Sequence, residues 1–147
     1  MKKIIISTLF SIVYVFCAAQ SESDIFGEWF NEEKDAVVTI YKDGNSISGK
    51  TTWLKEPLDS KGNAKLDLKN PDEKLRLRKR MGLKIMHSFK YNDQENIWED
   101  GRIYDPKKGK LYGGTATLVN ENELKLKGYI ISMPFLGRTA TWTRKTN

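Results

Sequence analysis

Short segments in which apolar and polar residues alternate, separated by turn-forming residues, constrain the fold of this chain most strongly. Alternation with a period of two places every second side chain on the same face of a β-strand. The clearest example is the stretch Trp98–Tyr112, in which Asp105 and Pro106 begin a turn and Gly109 supplies its left-handed residue. Short alternating strands joined in chain order by tight turns predict an antiparallel meander.

A second hairpin is indicated nearer the N-terminus, where an Asp43-Gly44 pair separates two β-rich runs. The whole chain then contains eight candidate strands, over residues 25–30, 35–41, 46–54, 84–91, 97–104, 110–119, 123–131 and 138–144. We predict an all-β fold, an eight-stranded antiparallel up-and-down barrel, because closure removes exposed sheet edges. The alternative is a two-sheet β-sandwich.

Residues 55–80, here called the excursion, interrupt the pattern, because they contain Pro57, Pro71 and many charges but no alternation. Long connections in compact domains are usually functional or carry local structure of their own. Asn70 has the character of a helix N-cap, with proline at the first helical position. The sequence therefore predicts one short helix over about residues 71–78.

The first nineteen residues have the pattern of a signal peptide. Lys2 and Lys3 precede an apolar run over residues 4–16, and small residues then lead to a cleavage position after Ala19. We therefore expect export to the periplasm or the medium, and a single domain over residues 20–147. A retained membrane anchor is the alternative. A lipoprotein is disfavoured because the large Phe16 precedes Cys17.

Composition excludes several classes of chemistry. The net charge of +6 falls to about +4 without Lys2 and Lys3, an imbalance too mild to predict nucleic-acid binding. Cys17 is the only cysteine and lies in the predicted leader, so the exported chain has no disulfide and no thiolate. With a single histidine, His87, we expect neither a metal site nor a cofactor.

Two short motifs resemble the pairing seen in lipocalins and their calycin relatives. They are Gly27-Glu28-Trp29 near the start and Thr141-Trp142-Thr143-Arg144 at the end. The resemblance implies that Trp29 plugs one end of the barrel, with Gly27 beside it. It also implies that Arg144 stacks on the ring of Trp29, a cation–π contact worth about 0.5–2 kcal/mol.

Nearly the whole exported chain resembles the bacterial secreted family known as domain of unknown function 2147. The resemblance implies a small exported protein with a lipocalin-like barrel and brings no established activity. The residues that carry it are Gly27-x-Trp29, Trp53-Leu54-Lys55-x-Pro57-Leu58-Asp59, Gly62, Asp67-x-x-Asn70-Pro71, Arg76-x-Arg78, Gly82-Leu83, Trp98-x-x-Gly101-x-Ile103-Tyr104-Asp105-Pro106, Gly109-Lys110-x-Tyr112, Gly128-Tyr129 and Gly137-Arg138-x-x-x-Trp142-x-Arg144.

Candidate ligand-binding residues come from the excursion and from the hairpin Trp98–Tyr112. A folded excursion could bring polar side chains to the barrel mouth, where they would either bind a polar ligand or pin the excursion. Every second residue from Trp98 to Tyr104 should share a face of one strand, and an inward Arg102 would need an acidic partner or a ligand. The predicted binding residues are Trp53, Asp67, Asn70, Arg78, Trp98, Arg102 and Tyr104.

Three functions remain open from the sequence. The first is a barrel that binds a small, partly apolar ligand. The second is an envelope interaction module that meets protein, lipid or polysaccharide through an outer surface, with the basic run at residues 76–80 as its candidate. The third and least favoured is a hydrolase, whose acid/base pair would come from Asp59, Asp67, Asp100 and Asp105.

Overall fold

A closed barrel of eight antiparallel strands makes up the fold in the computed structural model, which describes residues 19–146. The predicted leader, apart from Ala19, lies outside the described residues. Each strand pairs with the next in chain order, and the first pairs with the last, which confirms the predicted barrel and not the sandwich. The strands are β1 (Gly27–Phe30), β2 (Ala36–Asp43), β3 (Ser46–Leu54), β4 (Lys84–Asn92), β5 (Ile97–Asp105), β6 (Lys110–Asn120), β7 (Glu123–Ile130) and β8 (Met133–Arg144).

Helical structure is confined, within residues 19–146, to two short 3₁₀ segments, Glu22–Ile25 and Glu73–Leu75. The first lies directly before β1, where Ser21 and Asp24 hydrogen-bond each other in a capping box. The second is shorter than the predicted helix over residues 71–78, and Asp72 rather than Asn70 is its N-cap. No helix in this part of the chain has the length and apolar character needed to cross a membrane.

One end of the barrel is closed by the contact between Trp29 and Arg144. The Arg144 guanidinium carbon lies 4.1 Å from the centroid of the buried Trp29 ring. Arg144 also donates hydrogen bonds of 2.7 Å to the carbonyls of Phe26 and Asp24. Gly27 lies beneath this contact at a φ of 120°, and a Cβ there would come within 3.0 Å of an Arg144 nitrogen.

The apolar core fills the half of the barrel next to this closed end. Its largest side chains are Trp29, Trp98 and Phe89, all fully buried. Phe89 fills the space left by two facing glycines, since a Cβ on Gly101 or Gly114 would lie 2.4 or 2.7 Å from its ring. Any larger residue at those two positions would have to displace the ring.

A bulge in β5 overturns the predicted common face of Trp98 with Arg102 and Tyr104. The register of β5 against β6 shifts between Trp98 and Gly101, and Asp100 within that bulge has a φ of 58°. A bulge inserts an extra residue and reverses the side-chain alternation that follows. Trp98 therefore lies in the core, whereas Arg102 and Tyr104 alternate with the inward-facing Gly101 and Ile103 and lie on the outer face of the barrel wall, where the excursion buries Tyr104.

The final hairpin is longer than expected. The predicted loop over residues 132–137 is wrong, because β8 already begins at Met133 and pairs there with Ile130. Residues 134–136 have no partner in β7, since the pairing passes from Met133 with Ile130 directly to Gly137 with Tyr129, so Pro134 needs no backbone donor there. The hairpin therefore extends β7 and β8 at the end of the barrel opposite to Trp29.

We predict that Arg144→Ala lowers the free energy of unfolding by about 2–4 kcal/mol, because it removes charge-assisted hydrogen bonds and the cation–π contact together. Urea unfolding of residues 20–147 measures this change. Arg138→Ala on the same strand is the matched control, since Arg138 is mostly exposed and forms a surface ion pair with Glu32. Equal effects of the two substitutions would contradict the role given to Arg144.

Candidate ligand-binding site

A cavity of about 810 Å³ opens at the end of the barrel opposite to Trp29. Its position follows from the topology, since the ends of β3, β5 and β7 and the starts of β2, β4, β6 and β8 all contribute to it, together with Asn31 directly after β1. The inner wall is mainly apolar and aromatic, formed by Val38, Leu54, Ile85, Ile103, Tyr112, Leu126, Ala140 and Trp142. Sites for small molecules typically enclose about 300–1,000 Å³ with such walls.

The rim of the cavity carries charges of both signs that are paired with one another. Lys107 bonds to Asp35 at 2.6 Å and also to Glu33. Arg138 pairs with Glu32, which follows the neighbouring strand β1 and also accepts from the Thr141 N–H. The rim is therefore polar and nearly neutral, above an apolar interior.

A buried polar cluster, here called the Asp67 cluster, lies beside this mouth. The Asp67 carboxylate is fully buried and accepts hydrogen bonds from Tyr104 Oη at 2.6 Å, Asn70 Nδ2 at 2.8 Å and Arg78 Nη2 at 3.0 Å. Asn70 Nδ2 also donates to Tyr104 Oη at 3.0 Å. A buried carboxylate is tolerated when it is paired and hydrogen-bonded in this way. The cluster fastens the excursion to β5.

Two further contacts hold the excursion against the turn between β5 and β6. Arg80 donates to the Leu66 carbonyl within the excursion and to the Pro106 carbonyl in the turn, both at 3.1 Å. Gly109 has a φ of 66°, and a Cβ there would lie 1.8 Å from the Lys69 carbonyl oxygen. Only glycine fits a position that combines this backbone conformation with such a close approach. The excursion thus forms one side of the mouth.

The structure brings together four of the seven predicted binding residues. Asp67, Asn70, Arg78 and Tyr104 form the Asp67 cluster, and of these Tyr104 also lines the cavity. These residues hydrogen-bond one another, as expected if they pin the excursion rather than bind a polar ligand.

The other three predicted binding residues lie away from the cavity. Trp98 belongs to the core, and its Nε1 donates to the Glu22 carbonyl at 3.3 Å. Trp53 is 41% exposed and packs edge-on against Phe30, because a bulge in the β2–β3 pairing turns it outwards. Arg102 lies on the outer face, where it donates to the Gly101 carbonyl.

The cavity wall contains residues that the sequence interpretation missed. Tyr112, Gly128 and Trp142 all line it, together with Arg138 at the rim. The alternation along β7 and β8 could have identified these residues. Leu124 pairs with Trp142 and Leu126 with Ala140, and all four belong to the core or pack on it. The next inward-facing positions towards the open end, two residues further along each strand, are Gly128 and Arg138, which also pair with each other.

The carboxylates considered for acid/base chemistry have separate local partners. Asp59 accepts from the backbone N–H groups of Lys61 and Asn63, and Asp105 accepts from that of Lys107. Asp100 lies 3.7 Å from Lys90 on the outer surface. Over residues 19–146, no group of three or more acidic, histidine or cysteine side chains could hold a metal ion.

The basic run at residues 76–80, the candidate for an outer interaction surface, is engaged mainly in contacts of the excursion. Arg76 donates to the Asn70 carbonyl and pairs with Glu73, Arg78 pairs with Asp67, and Arg80 bonds to carbonyls. These three arginines therefore hold the excursion together, because their donors are used within it and against the β5–β6 turn.

The chain belongs to the bacterial family described as "Uncharacterized protein conserved in bacteria (DUF2147)", whose sequence profile matches residues 27–144. That range covers all eight strands and the closing Arg144. No curated protein matches the chain.

A solved structure gives an independent view of the fold. The chain is similar to a protein described as "Protein HP1028 from the human pathogen Helicobacter pylori belongs to the lipocalin family". The TM-score is 0.63 at 20% identity, over 76% of this chain and 73% of the other. The likeness shows a shared lipocalin-like barrel.

We predict that Asp67→Asn releases the excursion, because the amide cannot pair with Arg78 and cannot accept from every donor that Asp67 satisfies. Trypsin should then cut within residues 65–80 at least about tenfold faster, as expected when local unfolding becomes easier by about 1.4 kcal/mol. Asp72→Asn is the matched control, because an amide oxygen can still accept the bond from Lys74 N–H. Unchanged cleavage of Asp67→Asn would contradict the pinning role.

We also predict a loss of stability in alkaline solution that depends on Tyr104. Burial and the hydrogen bond to the Asp67 carboxylate raise the pKa of Tyr104 to about 12. The pKa of Tyr104 in the folded chain lies above its ordinary value of 10.0. The stabilisation that the Tyr104 hydroxyl provides is therefore complete below about pH 10 and disappears as the pH rises towards 12.

Tyr104→Phe provides the comparison for this pH dependence. The variant lacks the hydrogen bond and should be less stable than the natural chain near pH 8. The difference in the urea midpoint should shrink between about pH 10 and about pH 12. A difference that stays constant over this interval would contradict the prediction.

Proposed function

We propose that this protein binds a small, partly apolar molecule in the cavity at the open end of its barrel. The observation that carries the proposal is the cavity itself, about 810 Å³ in volume, in a barrel whose other half is filled by its own side chains. A barrel of eight strands has room for packed side chains or for one small ligand. In this barrel, packed side chains fill one end and the cavity occupies the other.

The arrangement of polarity in the cavity favours an amphiphile. The inner wall offers the partly buried Ile85, Ile103 and Tyr112 to an apolar group, so burial there would supply most of the affinity. The rim, with Asp35, Lys107 and Arg138, would meet the polar end of the ligand. Because these charges already pair with one another, a polar group of either sign could exchange with an existing partner.

Gly128 supports the proposal because its missing side chain leaves room in the wall. A Cβ at this position would lie no closer than 3.8 Å to any neighbour, and the nearest atoms belong to Tyr112 and Ile103. Its backbone is not in the left-handed region. The position therefore keeps the cavity open without any demand from the backbone.

We further infer that the protein acts outside the cytoplasm. The support is the signal-peptide pattern of residues 1–19. The mature chain would lack cysteine, so the apolar core and the Arg144 contact hold it without a disulfide. Mass spectrometry of the protein from its own envelope fraction tests this, since a chain that begins at Gln20 is expected.

We predict that Gly128→Leu weakens binding of the fluorescent fatty acid cis-parinaric acid at least about tenfold, because the new side chain occupies the ligand's space at little cost to the fold. Thr139→Leu is the matched control, since Thr139 pairs with Lys127 on the outer face of the adjacent strand. Equilibrium fluorescence titration measures both affinities, and circular dichroism checks that both variants fold. Equal affinities, or no binding by the natural chain, would contradict the proposed site.

A further inference from the structure

The tip of the β7–β8 hairpin is the largest run of exposed apolar side chains in the part of the chain that the structure describes. Phe135 is 80% exposed, and the neighbouring apolar side chains are 40–46% exposed; they are Ile130, Ile131, Met133 and Leu136. Contiguous exposed apolar surface on a water-soluble fold usually marks a site of contact. The cavity wall does not account for all of this surface, since Ile131, Met133 and Phe135 do not line the cavity.

The tip, residues 130–136, has no backbone pairing to either neighbouring strand. The pairing of β7 with β6 ends at Tyr129, and β1 pairs with β8 only at Thr143 and Arg144. The tip therefore extends past β1 on one side and is separate from the β6 ladder on the other.

We propose that this tip inserts into the surface of a lipid bilayer that contains anionic lipids. The first argument is that the tip is apolar on both faces. Ile130 and Leu136 line the cavity on the inner face, whereas Phe135 lies outside it. A protein partner covers one face of a hairpin, but an apolar medium surrounds both.

The second argument is the distribution of charge along the hairpin. Residues 128–137 contain no charged side chain, and Lys127 and Arg138 bound them on the two strands. These two residues lie at the same level, since Lys127 pairs with Thr139 and Gly128 with Arg138. Basic residues next to an apolar segment place their charges at the headgroups of anionic lipids, where each contributes about 1 kcal/mol. Arg138 pairs with Glu32, but its side chain is 77% exposed and such a surface pair is weak, so its guanidinium can exchange Glu32 for a lipid phosphate.

The dimensions also fit an interfacial site. Four steps along the strand separate Lys127 from Ile131, which corresponds to about 13 Å at the rise of an antiparallel strand. Interfacial segments bury their apolar side chains about 5–10 Å into the headgroup and acyl boundary. The tip is therefore long enough to enter this layer and too short to cross a bilayer. Insertion of the tip does not depend on the proposed binding of a ligand in the cavity.

A thiol-specific fluorophore tests the insertion directly, because residues 20–147 contain no cysteine and include every strand and the closing contact. Phe135→Cys and Val119→Cys are each labelled with an environment-sensitive nitrobenzoxadiazole group. Val119 is the control, since it is exposed but lies at the closed end of β6. Vesicles are made of phosphatidylcholine alone or of an equal mixture with phosphatidylglycerol.

The label at position 135 should shift to the blue and brighten with the mixed vesicles, while the label at position 119 stays unchanged. In co-sedimentation with the mixed vesicles, Phe135→Asp should bind about tenfold or more weakly than the natural chain. Leu77→Asp, at a position of similar exposure in the excursion, should bind like the natural chain. Added salt should weaken binding as it screens Lys127 and Arg138.

Three results would overturn the inference. They are no sedimentation with either vesicle, equal responses at positions 135 and 119, or a concentration-dependent blue shift at position 135 without vesicles, which would mean that a second copy covers the tip. Gly128→Leu separates this inference from the proposed function, because the variant keeps the tip and should still sediment with vesicles.

Discussion

The contact between the Arg144 guanidinium and the Trp29 ring is the interaction on which the rest of the barrel depends. Strand β1 is only four residues long, and its pairing with β8 consists of Trp29 with Arg144 and Phe30 with Thr143. So short a ladder leaves most of the closure to side chains. Arg144 meets this need by binding carbonyls on both sides of the seam while it covers the indole. Because this end is sealed and filled, the open space lies at the other end.

The open end owes its shape to the excursion, which the Asp67 cluster holds in place. A connection of this length would ordinarily be mobile, since it contains few apolar residues to bury. Here one buried carboxylate gathers a tyrosine from β5 and two partners from the excursion itself. The polar residues that stand out in the sequence therefore build one side of the mouth, and the apolar residues behind them supply the binding surface.

Much of the fold could be predicted because turns and alternation are local. Asp43-Gly44 and Asp105 to Gly109 marked hairpins at the right places, and the strand order follows from short connections. Which side chains of each strand point into the barrel could not be predicted in the same way. Asp100 adopts a positive φ although it is not a glycine, and the next residue, Gly101, packs against the Phe89 ring. That bulge separates Trp98 from Tyr104, and only the tertiary contacts reveal it.

The exposed hairpin tip stands beside the mouth of the cavity, since Ile130 and Leu136 belong to both. A molecule that leaves a bilayer at the tip would therefore reach the apolar wall without crossing open water. The account as a whole depends on the cavity holding a ligand. Native mass spectrometry of the protein, purified gently from the bacterium that makes it, tests this most directly. The account predicts a complex heavier than the bare chain that releases a small amphiphile on collisional activation. A spectrum of the bare chain alone, with no uptake of added lipid extract, would contradict it.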